Sequence, residues 1–373
     1  MKKTAFDHLI AAIKSDDIVK QEEAANKVCA LKDPASLPLI QSALEENNPL
    51  IQRVMLWALR NYPADLDYAS YLSYLSSGDL GVREAALVLF MEGGVPAVDT
   101  LVKAGSSDNI VMQYAAVHAL GQFRAPEAIA PLISAASSKV PDIREIAVMS
   151  LGVYAELVVV PVLISALHDV SDVRLAALIG LRGRLLNAED LSAVSECLAD
   201  EQEEIRAACV YVLDALTPEA LAADPSPYVR RALASVTADK SVLAILCGDP
   251  EPSVKTAAVE SIGKQKIPLE EHLLPLLSDQ VPGVRRAAAS ALGNSQKPEV
   301  IPALISCLSD PKPGIRAAAA ASLGNIGGES VIQVLKEAAN TKNPILAGII
   351  KNALATAEGK KYRELAVCPE MKI

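Results

Sequence analysis

The chain has 373 residues, 35 Lys and Arg against 45 Asp and Glu, and a net charge of −10, so its long-range field repels phosphate backbones and no nucleic-acid partner is expected. Half of it is apolar (51%), but the apolar residues are mostly Ala, Leu, Val and Ile, with one Trp, nine Tyr and three Phe. A core of small aliphatic side chains suits close helix contacts, and a length past the limit of a single globular core suits an array that grows along one axis.

The first residues, Met1 to His8, start basic, but Asp7, His8, Lys14, Asp16 and Asp17 interrupt any apolar run of signal-peptide length. No run of about 18 uncharged apolar residues follows, so no membrane partner is expected. Cys29, Cys197, Cys209, Cys247, Cys307 and Cys368 contain no CxxC pair, which points to reduced thiols in a cytoplasmic protein.

A first, polar unit spans roughly Ile18 to Leu44, as an end cap requires, and a repeat then sets in. Each unit reads as Asp, a short turn with Pro or Gly, an aliphatic residue, a basic residue, Ala-Ala and then Leu-Gly; the clearest copies are Asp279 to Gly293 and Asp310 to Gly324. The basic position is marked by Gln52, Arg83, Gln113, Arg144, Arg174, Arg206, Arg230, Lys255, Arg285 and Arg316, with spacings of 31, 30, 31, 30, 32, 24, 25, 30 and 31. Asp or Ser before the turn predicts a capped helix start, Pro just after it fits the first helical turn, and the Gly after Leu predicts a C-terminal cap.

The second helix of each unit is shorter, as in Val300 to Leu308 with Ile301, Leu304, Ile305 and Leu308 at helical spacing. A single pair cannot bury its apolar face, whereas stacked pairs share one core. The predicted fold is all-α, a right-handed superhelix of about 11 to 12 helical pairs over residues 1–357, with the second helices lining a concave face. A tail is expected over 358–373.

The unit DxxxxV(R/K)xAAxxLG resembles the HEAT repeat, in particular the PBS lyase HEAT-like subtype, over about residues 15–357. The resemblance implies that the recurrent Arg and Asp form an internal ladder, each Arg bonding turn carbonyls or the Asp of a neighbouring unit, rather than a catalytic pair. The two short units between Arg206 and Lys255 look like the leucine-rich repeat variant, whose second helix is reduced to a tight turn; a hinge is expected near 214–250.

No catalytic, cofactor-binding or metal-binding residue is assigned. His8, His118, His168 and His272 lie in different units with no partner at ligand spacing, unlike the repeated His-Glu pairs of the HEAT-type deoxyhypusine hydroxylases; phosphate loops and nucleophile elbows are absent. Trp57, Tyr62, Tyr68, Tyr71 and Tyr74 crowd one unit of this aromatic-poor chain. Trp57, Tyr68, Tyr71 and Tyr74 are the candidate partner-binding residues, because Tyr and Trp make good interface anchors.

The expected function is a scaffold or adaptor that grips a protein partner on its concave helical surface, the acidic charge favouring a basic one. The subtype's name raises a bilin attachment or detachment factor as an alternative. A DNA glycosylase of the HEAT-like kind fits less well, given the charge.

Overall fold

The computed structural model describes residues 2–124, 126–214, 219–340 and 344–367, with side chains described to residue 359. Among them the regular structure is entirely helical, in two compact units, Met1–Leu185 and Leu186–Ile373. The first contains α1 (Lys3–Ile13), α2 (Ile18–Cys29), α3 (Leu37–Leu44), α4 (Pro49–Leu59), α5 (Leu80–Glu92), α6 (Gly94–Ala104), α7 (Ile110–Phe123), α8 (Ile129–Ala135), α9 (Pro141–Leu151), α10 (Val160–Ser165) and α11 (Ser171–Leu181). The second contains α12 (Ala188–Glu196), α13 (Glu203–Leu213), α14 (Pro227–Val236), α15 (Lys240–Cys247), α16 (Pro252–Gln265), α17 (Glu270–Leu273), α18 (Pro282–Ala291), α19 (Val300–Cys307), α20 (Pro313–Ile326), α21 (Glu329–Ala338) and α22 (Pro344–Val367).

Each unit is a stack of helical pairs. Consecutive first helices pack on one another, as α7 on α9 and α9 on α11, or α14 on α16, α16 on α18 and α18 on α20. The apolar residue before the marker faces inward and is fully buried in most units, as with Val82, Ile143, Val254 and Val284, while Met112 before Gln113 is half-buried.

The Leu-Gly glycines serve these crossings rather than capping the helices. A Cβ on Gly152 would come within 2.9 Å of the Gly180 Cα, and one on Gly324 within 2.7 Å of the Ala353 carbonyl oxygen. Where two first helices meet, only hydrogen fits, so the glycine follows from close approach and not from a left-handed backbone.

The helix starts fall into two kinds. In the N-terminal pairs the side chains of Asp17, Asn48, Asp79 and Asn109 cap α2, α4, α5 and α7 directly. Further along, an Asp (Ser138 in one repeat) lies two residues before the cap, and Val140, Glu251, Val281 and Lys312 hold the cap position without a side-chain bond, each followed by Pro. There the Asp has other work.

The Arg and Asp side chains form the expected ladder. Arg206 donates to Asp224 through Nε and Nη2 (both 2.9 Å), Arg230 to Asp249 (2.7 and 2.9 Å) and Arg285 to Asp310 (2.8 and 3.3 Å). In the first unit Arg144 grips Asp169 the same way (2.6 Å twice), and Lys255 reaches Asp279 with its single ammonium. The third guanidinium nitrogen returns to the residue opening its own turn: Arg230 donates to the Asp224 carbonyl (2.7 Å) and Arg285 to that of Asp279 (2.8 Å).

In the second unit these Asp in turn accept the N–H two residues on, Asp224 from Ser226, Asp249 from Glu251, Asp279 from Val281 and Asp310 from Lys312, whereas Asp169 accepts from the adjacent Val170. One carboxylate thus fixes its turn and ties it to the preceding pair.

A second set of ties joins the far ends of the first helices. Asn61 donates to the Cys29 and Leu31 carbonyls, Arg184 to those of Gly152 and Tyr154, Gln265 to that of Thr237 and Asn294 to that of Gly263. These acceptors are carbonyls that a helix end leaves without an intrahelical donor.

The two short repeats are shortened differently. After α13 the second element is a 3-10 helix, Glu219–Ala223, close to the expected turn. After α14 a full α15 forms instead, and the length is saved in the connections on either side of it. At the other end α22 continues as helix through Val367, across much of the stretch expected to be a tail; Cys368 lies outside the described residues.

Candidate protein-contact surface

The aromatic unit is the natural place to look for a contact surface, and its second element is a 3-10 helix, Tyr68–Ser76. At three residues per turn, Tyr68, Tyr71 and Tyr74 stack in one row instead of drifting around an α-helix. The row points into the molecule: Tyr68 and Tyr71 are buried and Tyr74 is half-buried. Tyr68 and Tyr71 thus pack into the core, while Tyr74 keeps part of its side chain at the surface.

Their hydroxyls reach back one repeat. Tyr62 donates to the Asp33 carbonyl (3.2 Å), Tyr74 to the Leu44 carbonyl (3.1 Å), and Tyr71 accepts from Gln41 Nε2 (2.8 Å). Burial raises the pKa of Tyr68, Tyr71 and Tyr74, for Tyr71 against the opposing pull of the Gln41 bond. Tyr68 packs its ring on Phe90 with centroids 5.5 Å apart and occupies the space a Cβ on Gly93 would need.

Trp57 is the exposed member of the candidate set, at 39%. The Arg60 guanidinium covers its ring at 4.4 Å and is held there by Glu92. Sequence thus brings Trp57 and the tyrosines into one repeat, but not onto one surface.

What the aromatic helix does instead is separate its neighbours. It packs against α5, α6 and α7, and α5 meets α7 over a shorter stretch than other consecutive first helices of this unit meet. Between α5 and α7 an open groove of about 680 Å³ results.

Its walls are apolar and exposed: Leu80 (61%) on α5, and Ile110 (56%), Val111 (62%) and Tyr114 (44%) on α7. Leu80, Glu84 and Leu87 follow one face of α5, and Val111, Tyr114 and His118 one face of α7, at spacings of three and four. The Arg83 guanidinium lines the groove but is committed to the Ser77 carbonyl at 2.6 Å. Desolvation by the wall lowers the pKa of His118.

Glu84 on α5 and Asp142 on α9 line the groove without an ion pair among the described residues, and Glu145, one turn on from Asp142, is near enough to Asp142 and to Asp172 on α11 to feel their charges. Partial burial, and then the charges of Asp172 and Asp142, raise the Glu145 carboxyl above its usual value. The groove is apolar along α5 and α7, with carboxylates on α5 and α9 at its lining.

None of the groove's apolar residues was singled out by the sequence reading. The signal was present: Leu80, Ile110 and Val111 occupy the first turn of their helices, where Pro141-Asp142, Pro282-Gly283 and Pro313-Gly314 stand in other repeats.

No group of His, Cys, Asp and Glu among the described residues has the arrangement of a metal site. The four histidines are not brought together. No helix of the described residues is long and apolar enough to cross a membrane.

A family model described as HEAT repeats matches residues 98–182 and 270–355. HEAT repeats are thus found over those two stretches. No curated protein matches it.

Among solved structures, importin beta in an ammonium sulfate condition aligns with a TM-score of 0.59 at 15% identity, covering 95% of this chain and 56% of that one. Kap95p, in a structure concerned with its binding inducing the switch loops of RanGDP to adopt the GTP-bound conformation, aligns with a TM-score of 0.56 at 14% identity, covering 95% and 63%. The chain spans less than two thirds of either. At these identities the likeness is one of fold, an all-helical solenoid of stacked helical pairs.

Proposed function

We propose that the chain is a protein-binding scaffold. The observation that carries this reading is the apolar surface left uncovered between α5 and α7: four large side chains exposed side by side are costly to leave in water and mark an interaction site. That a solenoid of the same fold, Kap95p, binds RanGDP supports a macromolecular partner over a small one. The acidic balance favours a basic partner.

The second-helix surface remains part of the proposal, since Val95 in α6 and Ile245 in α15 are also exposed there. Cross-linking of the immobilised full chain in lysate, followed by mass spectrometry of the linked peptides, tests the reading. The expected result is a reproducible set of protein cross-links. Their absence under conditions where the chain is folded would refute it.

A further inference from the structure

The groove and its acidic side together specify more than an adhesive patch. Two helices form the walls, with apolar residues along the floor of the cleft. In an all-helical unit there is no sheet edge to extend, so the recognition mode that fits is a helix laid in a groove, anchored by apolar side chains at i, i+3, i+4 and i+7. Asp142 lines the groove on the α9 side, with Glu145 one turn further along α9 and Asp172 on the adjacent α11, and these three have no ion pair among the described residues; Glu84 adds a carboxylate on α5.

We infer that the groove between α5 and α7 seats an amphipathic helix of a partner protein, with its apolar face on Leu80, Val111 and Tyr114 and its Lys or Arg side chains over Asp142, Glu145 and Asp172. This rests on the scaffold reading above and gives it a site and a partner chemistry. Cations placed there relieve the mutual repulsion of the three carboxylates as well as forming new pairs, which makes the charge preference part of the affinity. A second copy of this chain is a poor occupant, because the two molecules would meet with a net charge of −10 each.

The test uses the full chain and a fluorescein-labelled synthetic helix of about five turns, Leu on one face and Lys elsewhere, with a counterpart carrying Glu for Lys. Anisotropy should show binding of the Lys helix alone, and hydrogen exchange should show new protection in α5 and α7. Val111→Asp with Tyr114→Ala, both at exposed positions, should weaken binding at least about tenfold while leaving the melting curve in place. Asp142→Asn with Glu145→Gln should weaken it about fivefold and flatten its salt dependence.

Equal binding of the Glu helix, protection elsewhere, or indifference to the Val111 and Tyr114 changes would overturn the inference. So would a concentration-dependent dimer that the same changes dissociate. Cross-links to a cellular protein that survive in the Val111→Asp, Tyr114→Ala variant would remove the groove and leave the scaffold standing, whereas absence of any cross-link would remove both.

Discussion

Removing Asp249 is the sharpest test of how the repeats are held together. In Asp249→Ala, Arg230 keeps its Nη1 bonds to the Asp224 and Pro225 carbonyls but loses those of Nε and Nη2, at 2.7 and 2.9 Å, and the Glu251 N–H loses its acceptor. Both partners are well covered, with side-chain exposures of 12% for Arg230 and 5% for Asp249. Stranding one charge of a buried pair costs about 3 to 5 kcal/mol, and the two retained carbonyl bonds place this case near the low end, at about 3. For an unfolding slope of about 3 kcal/mol per molar urea the midpoint should fall by about 1 M. Arg230→Met with Asp249→Leu removes both charges and should recover most of the loss, because the cost lies in the unpaired guanidinium rather than in a missing attraction. Urea titration followed by circular dichroism checks both. A single variant losing less than about 1 kcal/mol, or a double variant less stable than the single, would refute the account.

The same carboxylates set an acid limit. Hydrogen bonds from Arg144 and Arg285 lower the pKa of Asp169 and Asp310; in Asp224, Asp249 and Asp279 burial pushes upward but the cationic partners and turn N–H groups prevail, so all five titrate below their ordinary value. Their contribution is full above the unfolded carboxyl value of about 3.9 and is lost as pH falls through the folded values, so stability measured against urea should drop steeply below about pH 4 and not between pH 5 and 8. Gly324→Ala forces a methyl against the Ala353 carbonyl and should cost about 1 to 3 kcal/mol in the same titration, whereas Gly348→Ala, where a Cβ meets nothing, should be close to neutral. Tyr68→Phe removes a buried hydroxyl that has no hydrogen-bond partner among the described residues and should be neutral or stabilising, while Tyr71→Phe forfeits the Gln41 bond and should cost about 1 kcal/mol. Burial pushes the Cys247 thiol up to about 11, so at pH 8 a disulfide reagent should label it in the unfolded chain and leave it untouched in the native one.

The repeat was legible because one physical demand recurs at each of its positions. Val284 must be buried, Gly324 must let a neighbouring helix close in, and Arg285 must span from the Asp279 carbonyl to Asp310; a demand made of every unit leaves a period in the sequence. Demands that involve a single place leave none. Tyr68, Tyr71 and Tyr74 are conspicuous by composition, but whether they face in or out depends on a 3-10 turn that aligns them and on Gln41 and Leu44 one repeat back, which no local pattern announces. The groove is a consequence of that packing: the aromatic helix lies against both α5 and α7, and the residues thereby uncovered are ordinary aliphatics whose only mark is their place. In an array where each position has a known duty, the informative residue is the one that departs from it. Leu80 and Ile110 are apolar at a helix start where the other repeats past the end cap have Pro, Ser or Glu, and Val111, like Leu50 and Tyr228, is apolar at the next position. Large apolar side chains left in water are accounted for by what covers them, and on the proposed reading Leu80, Ile110, Val111 and Tyr114, rather than the buried tyrosines of the 3-10 helix, meet the partner.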